Sequence, residues 1–334
     1  MWEKHWSAGL AKEAVWVSGM VDSYEAAEAV MSRIGKIKMS DSTIWRRVAK
    51  WGECFIEVEQ AQREQANRLP LRNELLRPEQ QQTGRMGAAM DGAMVHLVEE
   101  GWKELKVGCL FDLEERATFD KERHEWVDMA HAVNNSYVAH LGGPEPFGQL
   151  VWSEAQSRGW EYHFETQVVG DGAVWIWNLA EQHFFDSRQT VDWYHASQHL
   201  HAAAQAYHFN DPARAQRWYH QAQTRLFQGQ AEQIAVDLRQ RALQLPQTAE
   251  MLGTEAGYLE NNKRRMNYLE CREEGFLLGS GMVESGAKQF KARFCGPGMR
   301  WSRSGLERLI PIRSAILSHS FDQLWPAVYN SPHN

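Results

Sequence analysis

Three acidic residues stand in settings suited to phosphate chemistry. Asp91 lies in MDGA and Asp171 in GDGA, each an Asp-Gly pair at the end of an apolar segment, and Glu284 lies in GSGMVESGAKQFKARF, just after Gly279-Ser280-Gly281. A carboxylate at a strand end, followed by glycine, projects into a cleft while the backbone stays open to a ligand. Two such carboxylates on adjacent strands and a third on a helix can hold two divalent cations. Hard Mg²⁺ prefers carboxylate and phosphate oxygens, and two such ions can activate an attacking oxygen and stabilise a leaving one in phosphodiester chemistry. Each residue also has a plainer role open to it: Asp-Gly is a turn dipeptide, and a Glu in a first helical turn favours the helix dipole.

A second cluster is Asp192-Trp193-Tyr194-His195, with His199 one helical turn after His195. Histidines at i and i+4 share a helix face, so a zinc site of a hydrolase is one reading. The central residues Ala196-Ser197-Gln198 rule out an HEXXH motif. The other reading is a helix whose histidines pack or hydrogen-bond near its start.

These residues need strands and helices to position them. The stretches GAAMDGAMVHLV and WKELKVGCLFDL read as strands with a turn near Glu99–Gly101. HAVNNSYVAHLG fits strand or helix. FGQLVWSEAQSRGW reads as a helix, TQVVGDGA as a strand ending at Asp171, VWIWNLAEQHF as a helix, and TVDWYHASQHLHAAAQAYH as a short strand entering a long helix. Strands alternating with helices predict an α/β core. Residues 201–262, rich in Gln and Ala with helical periodicity, read as an all-helical insertion, and the tail from Gly279 as turn, helix, Gly/Pro turn and helix.

Upstream, Ala26, Ala27, Val30, Met31 and Ile34 recur at helical spacing, and Ser40-Asp41-Ser42 can cap a second helix ending at Gly52. Helix, short turn and helix over 23–52, carrying Arg46, Arg47 and Lys50, outlines a helix-turn-helix; plain helical packing has the same outline. A polar helix then passes into the connector LPLRNELLRPEQQQ. The expected organisation is a helical region over 1–78, an α/β core over 79–200 and 263–325, and the helical insertion between.

The 334 residues suffice for one large domain with an insertion or for two, and no apolar run approaches a membrane span. No signal-peptide pattern opens the chain. The four cysteines are scattered without a CxxC pair, which fits a reducing cytoplasm. A net charge of -7 argues by itself against a nucleic-acid partner. The charge is uneven, however: residues 285–313 carry seven cations against Glu307 alone, a local excess of six that leaves -13 for the rest.

Four segments in order over roughly 85–325 are specific together: AAMDGAMV with GWKELKVGCLF, VVGDGAVWIW, TVDWYHASQHL, and LLGSGMVESGAKQFKARFCGPGMRWSRSGLERLIPIRS. Through them the chain resembles bacterial insertion-sequence transposases of the Mutator-like DDE group, nearest to the branch named after the Kra elements. The resemblance implies an RNase H-like core, a mixed sheet flanked by helices, with a helical insertion before the last acidic residue. It implies Asp91, Asp171 and Glu284 as ligands of Mg²⁺ or Mn²⁺. In this group a C/D-x-x-H signature follows the second acid by some twenty residues, and Asp192 follows Asp171 by 21. Asp192 and His195 become supporting catalytic groups, with Asp192 itself an alternative second acid.

The implied activity is phosphodiester cleavage at the ends of a mobile element, followed by attack of the freed 3′-hydroxyl on target DNA. The implied partners are double-stranded DNA and a second copy of the chain, in a bacterial cytoplasm at the nucleoid and away from membranes. Arg46, Arg47, Lys288, Lys291, Arg293, Arg300 and Arg303 are the expected phosphate contacts, and Trp301 a base-stacking residue. A solvated helix face is the other reading of the cations, and buried packing that of the tryptophan. Relatives commonly begin with a Cys-rich, zinc-ribbon-like segment, for which this chain has no counterpart. A degenerate or domesticated relative that binds DNA without cutting it is therefore the alternative expectation.

Overall fold

The computed structural model describes residues 6–66, 82–120 and 124–331. Three helices come first: α1 (Ala8–Met20), α2 (Tyr24–Arg33) and α3 (Asp41–Ala66). Strands β1 (Gln82–Leu97), β2 (Gly101–Asp120) and β3 (Glu125–Leu141) follow, then α4 (Pro144–Ser157), β4 (His163–Gly170), α5 (Val174–His183) and β5 (Arg188–Val191). Helices α6 (Trp193–Tyr207), α7 (Pro212–Phe227), α8 (Ala231–Gln244), α9 (Ala249–Asn262) and α10 (Tyr268–Glu273) lead to α11 (Gly281–Phe294), α12 (Arg303–Leu317) and α13 (Phe321–Tyr329).

The fold is α/β. The five strands form one mixed sheet in the order β3-β2-β1-β4-β5. β1–β2 and β2–β3 are antiparallel, while β4 runs parallel to β1 and β5 parallel to β4. The segment 131–142, ambiguous in sequence, is mostly strand because it pairs with β2 along its length. Pairing between β1 and β2 starts at Arg85↔Leu113, so from Glu114 to Asp120 β2 pairs with β3 alone and the two continue as an arm.

Alternation along β1 sends side chains to two cores. Met86, Ala88 and Met90 join Leu110, Phe147, Val168 and the apolar faces of α4 to α9. Ala89, Ala93, Val95 and Leu97 join Phe111 and the apolar faces of α1 to α3 and α11 to α13. Each large side chain so buried contributes about 1.5–3 kcal/mol. The N-terminal helices therefore share a core with the tail, and the insertion shares one with α4 and α5. Helices cover both faces of the sheet, which is why the neighbours Val168 and Val169 on β4, pointing to opposite faces, are both fully buried.

Two sequence expectations need correction. α3 does not end at Gly52 but runs on to Ala66. Gly52 is buried against α12: a Cβ there would stand 2.4 Å from the carbonyl oxygen of Arg308. The glycine lets two helices approach closely and does not terminate either. The connector expected after α3, and the boundary at 78/79, lie outside the described residues. Second, Asp91 is not at a strand end, since β1 continues to Leu97. What ends there is its parallel partner: pairing with β4 stops at Ala89↔Val169, so β1 becomes an open edge two residues before Asp91.

α3 also carries a titration. Burial pushes the Glu59 carboxyl up to about 7, opposed by Arg63 and reinforced by the negative charge of Glu154. A raised folded-state value means that the native chain holds this proton more tightly than the unfolded chain. The stability it contributes is present below the ordinary carboxylate range and is lost as pH rises towards 7. Thermal unfolding of Glu59→Gln is expected to match the native protein at pH 4 and to exceed it at pH 8 by on the order of 5 °C. Equal melting temperatures at both pH values would contradict this assignment.

Candidate active site

Asp91 shares the face of Ala89 and Ala93, the side of β1 on which α11 packs, and α11 carries Glu284 in its first turn. Asp171 follows the last residue of β4. Both aspartates and Glu284 are partly buried. Burial raises the pKa of Asp91 most, and the negative charges of Asp171 and Glu284 raise it further. The Gly92 N–H and the nearby His195 pull the other way. Asp171 after β4, Glu284 in the first turn of α11 and His195 at the start of α6 are thus the charged groups that act on the half-buried Asp91.

Each carboxylate is held through one oxygen. Asp91 Oδ1 accepts from the Gly92 N–H at 2.7 Å, and Asp171 Oδ1 from the Ala173 N–H at 2.8 Å. Lys288 Nζ lies 3.5 Å from Glu284 Oε2, one turn along α11. Among the described residues, no three His, Cys, Asp or Glu side chains are drawn together closely enough to hold a metal ion as they stand. Like charges at close range repel one another unless a cation lies between them. The donor set, three carboxylates with free second oxygens, suits a hard divalent cation.

The Asp171 turn is clamped from above. Gly172 has φ +104°, a conformation that favours glycine, and a Cβ there would lie 2.7 Å from the Tyr258 ring. Tyr258, on α9, donates its hydroxyl to the Asp171 carbonyl oxygen at 2.9 Å. His199 stacks on Tyr258 with ring centroids 3.5 Å apart, and its Nδ1 lies 2.6 Å from Glu255 Oε2. The helical unit therefore bears directly on the backbone of Asp171, and His199 belongs to that support rather than pairing with His195 as a two-histidine ligand set.

Asp192 has a different place. It is fully buried and caps α6, with Oδ1 accepting from the His195 N–H at 2.8 Å. Its Oδ2 accepts from Ser280 N at 2.5 Å and Ser280 Oγ at 2.8 Å. Two further clamps hold the same segment. Trp193 N–H donates to the Leu278 carbonyl, and buried Gln167 on β4 bonds both Leu277 N and Leu277 O. Residues 277–280 are thus fixed at three points, which sets where α11 starts and where Glu284 stands. Asp192 and Gln167 position the site. A glutamine inside the apolar run TQVV was the available signal for Gln167, because a buried polar group in a strand needs a partner.

The expected DNA contacts divide. Arg46, Lys288, Lys291 and Arg300 are exposed. Arg47 is half-buried and lies over the Trp6 ring. Arg293 is buried at 2%, donating to the carbonyls of Ser18 and Asp22 after α1 and lying between Tyr24 and Trp301. Trp301 is buried too, its Nε1 donating to the Phe294 carbonyl, so it offers no face to a base. Arg303 makes a two-pronged pair with Glu100 and a third bond to Glu307. Arg308 pairs with Glu53, and Arg313 is buried. Of the seven cations in 285–313, only Lys288, Lys291 and Arg300 are exposed, and Lys288 lies 3.5 Å from Glu284.

No family model matches the chain, and no curated protein matches it.

Proposed function

We propose that this chain is a DNA transposase of the DDE type with an RNase H-like core, acting as a homodimer or higher oligomer on double-stranded DNA. What supports the reading is that Asp91 lies on the side of β1 where α11 packs, and that the charges of Asp171 and Glu284, on two other parts of the chain, act on its carboxyl. The mixed five-stranded sheet flanked by helices is compatible with that core. The helical unit α7–α9 falls between the second and third acids, where the resemblance expects an insertion.

Asp91, Asp171 and Glu284 would hold Mg²⁺ or Mn²⁺. When bound, the metal neutralises the carboxylates and polarises oxygens of phosphate and water. The chain itself supplies position. Asp192 and Gln167 fix the start of α11, Tyr258 fixes the Asp171 turn, and Lys288, Lys291 and Arg300 meet phosphates. In the cleavage step a water oxygen bonds to phosphorus and the 3′-oxygen leaves as a hydroxyl. In the transfer step that 3′-oxygen bonds to a target phosphorus and displaces the target's own 3′-oxygen. Holding these reactants in line is the larger part of the catalysis such a site can give.

Thermal unfolding in Mn²⁺ tests the cation site without any DNA. Millimolar Mn²⁺ is expected to raise the melting temperature of the native protein. Asp91→Asn, which removes one of three repelling charges, is expected to melt about 2 °C higher than native in EDTA and to lose the Mn²⁺ response. An Mn²⁺ response that survives in the variant would place the cation elsewhere. Tyr258→Phe loses a single hydroxyl. It is expected to cost about 1 kcal/mol of stability but to slow single-turnover cleavage roughly tenfold, because the Asp171 turn loses its clamp. A cleavage rate equal to native would remove Tyr258 from the account.

A further inference from the structure

A groove of about 820 Å³ opens between the β2–β3 arm, the start of α6, α7 and the segment leading to Gly279. Its size falls in the range of ligand-binding clefts. Its position ties it to the site. Gly279 lines it and directly precedes Ser280, which Asp192 holds, and Tyr194 lines it between Asp192 and His195.

The composition of the groove is unlike that of the chain. The protein has 43 acidic residues, yet among the described residues no Asp or Glu lines this groove. A cleft without lining acids that begins one residue from His195 is suited to an anionic polymer. Its aromatic groups are held in place. Trp193 is packed edge-on to Phe227 and Tyr268, at 5.6 and 4.8 Å between ring centroids. Tyr194 rests against the Gly279 backbone: a Cβ at Gly279 would lie 3.2 Å from its ring, yet 66% of the residue is exposed. A large aromatic ring exposed to this degree beside a polar cleft is a stacking platform, since every base presents a π face. Gln223 and His220 on α7 line the opposite wall, Gln223 held by Ser197 and Tyr219 and His220 by Gln216.

We infer that this groove receives an unpaired DNA base next to the scissile phosphate, stacked on Tyr194. The inference rests on the reading of the chain as a DNA-cutting enzyme and adds a preference for distorted or single-stranded DNA at the cut.

The test uses the full-length protein and two labelled probes: a matched duplex, and the same duplex with one unpaired 2-aminopurine. The native protein is expected to bind the second probe more tightly and to quench its fluorescence. Tyr194→Ala, a change at an exposed side chain, is expected to abolish the quench and weaken that probe about tenfold, with matched-duplex affinity as in native. Tyr194→Trp should restore both. If Tyr194→Ala weakens the two probes equally, or weakens neither while the native protein still binds and cuts duplex, the groove assignment is overturned and the transposase reading stands. If the native protein binds neither probe, the transposase reading fails and the groove falls with it.

Discussion

Asp192→Ala is expected to destabilise the whole protein by about 3–5 kcal/mol, because three donors lose their acceptor in a fully buried place. The His195 N–H, the Ser280 N–H and the Ser280 hydroxyl all point at this one carboxylate. Loss of the α6 cap alone is worth about 1 kcal/mol. The remainder comes from releasing residues 277–280, and with them the first turn of α11. Chemical denaturation measures the change. Asp192→Asn keeps an acceptor oxygen and should recover part of the stability. A variant Asp192→Ala that is as stable as native but inactive would instead mark Asp192 as a reacting-site acid.

Asp91→Ala, Asp171→Ala and Glu284→Ala are expected to show the reverse pattern. Each removes a charge from a crowded cluster, so folding is preserved or slightly improved, while DNA cleavage falls by at least about 10³-fold. Binding to DNA should persist, since Lys288, Lys291 and Arg300 are untouched. Because the three residues act as a unit, the double variants should be no slower than the singles. Cleavage within about tenfold of native in any one single variant would remove that residue from the assignment.

Local sequence carried the order of strands and helices well, because period-two and period-3.6 patterns are properties of neighbouring residues. The Asp171-Gly172 turn was legible for the same reason. What sequence did not carry depends on partners far along the chain. Gly52 reads as a helix stop until α12 is seen against it. Arg293 and Trp301 sit in a basic, aromatic stretch that reads as a DNA-binding face, yet both are buried behind α1 and α11. Arg303 reads as a free cation until Glu100, on the β1–β2 turn, is brought to it. Asp192 reads as a strand-end acid like Asp171. Only Ser280, 88 residues later, makes it a structural clamp.

These placements also concern the charge balance. A chain at -7 whose basic stretch is largely engaged internally presents a small cationic surface. DNA binding should therefore show a shallow salt dependence, set by a few phosphate contacts rather than many.

The most direct test is nicking of end-labelled duplex DNA by the native protein in Mg²⁺, in Mn²⁺ and in EDTA. The account predicts nicks with 3′-hydroxyl ends in Mg²⁺ or Mn²⁺ and none in EDTA. A native protein that binds the duplex yet leaves it intact in both metals would contradict catalysis and identify the chain as a DNA-binding relative that no longer cuts.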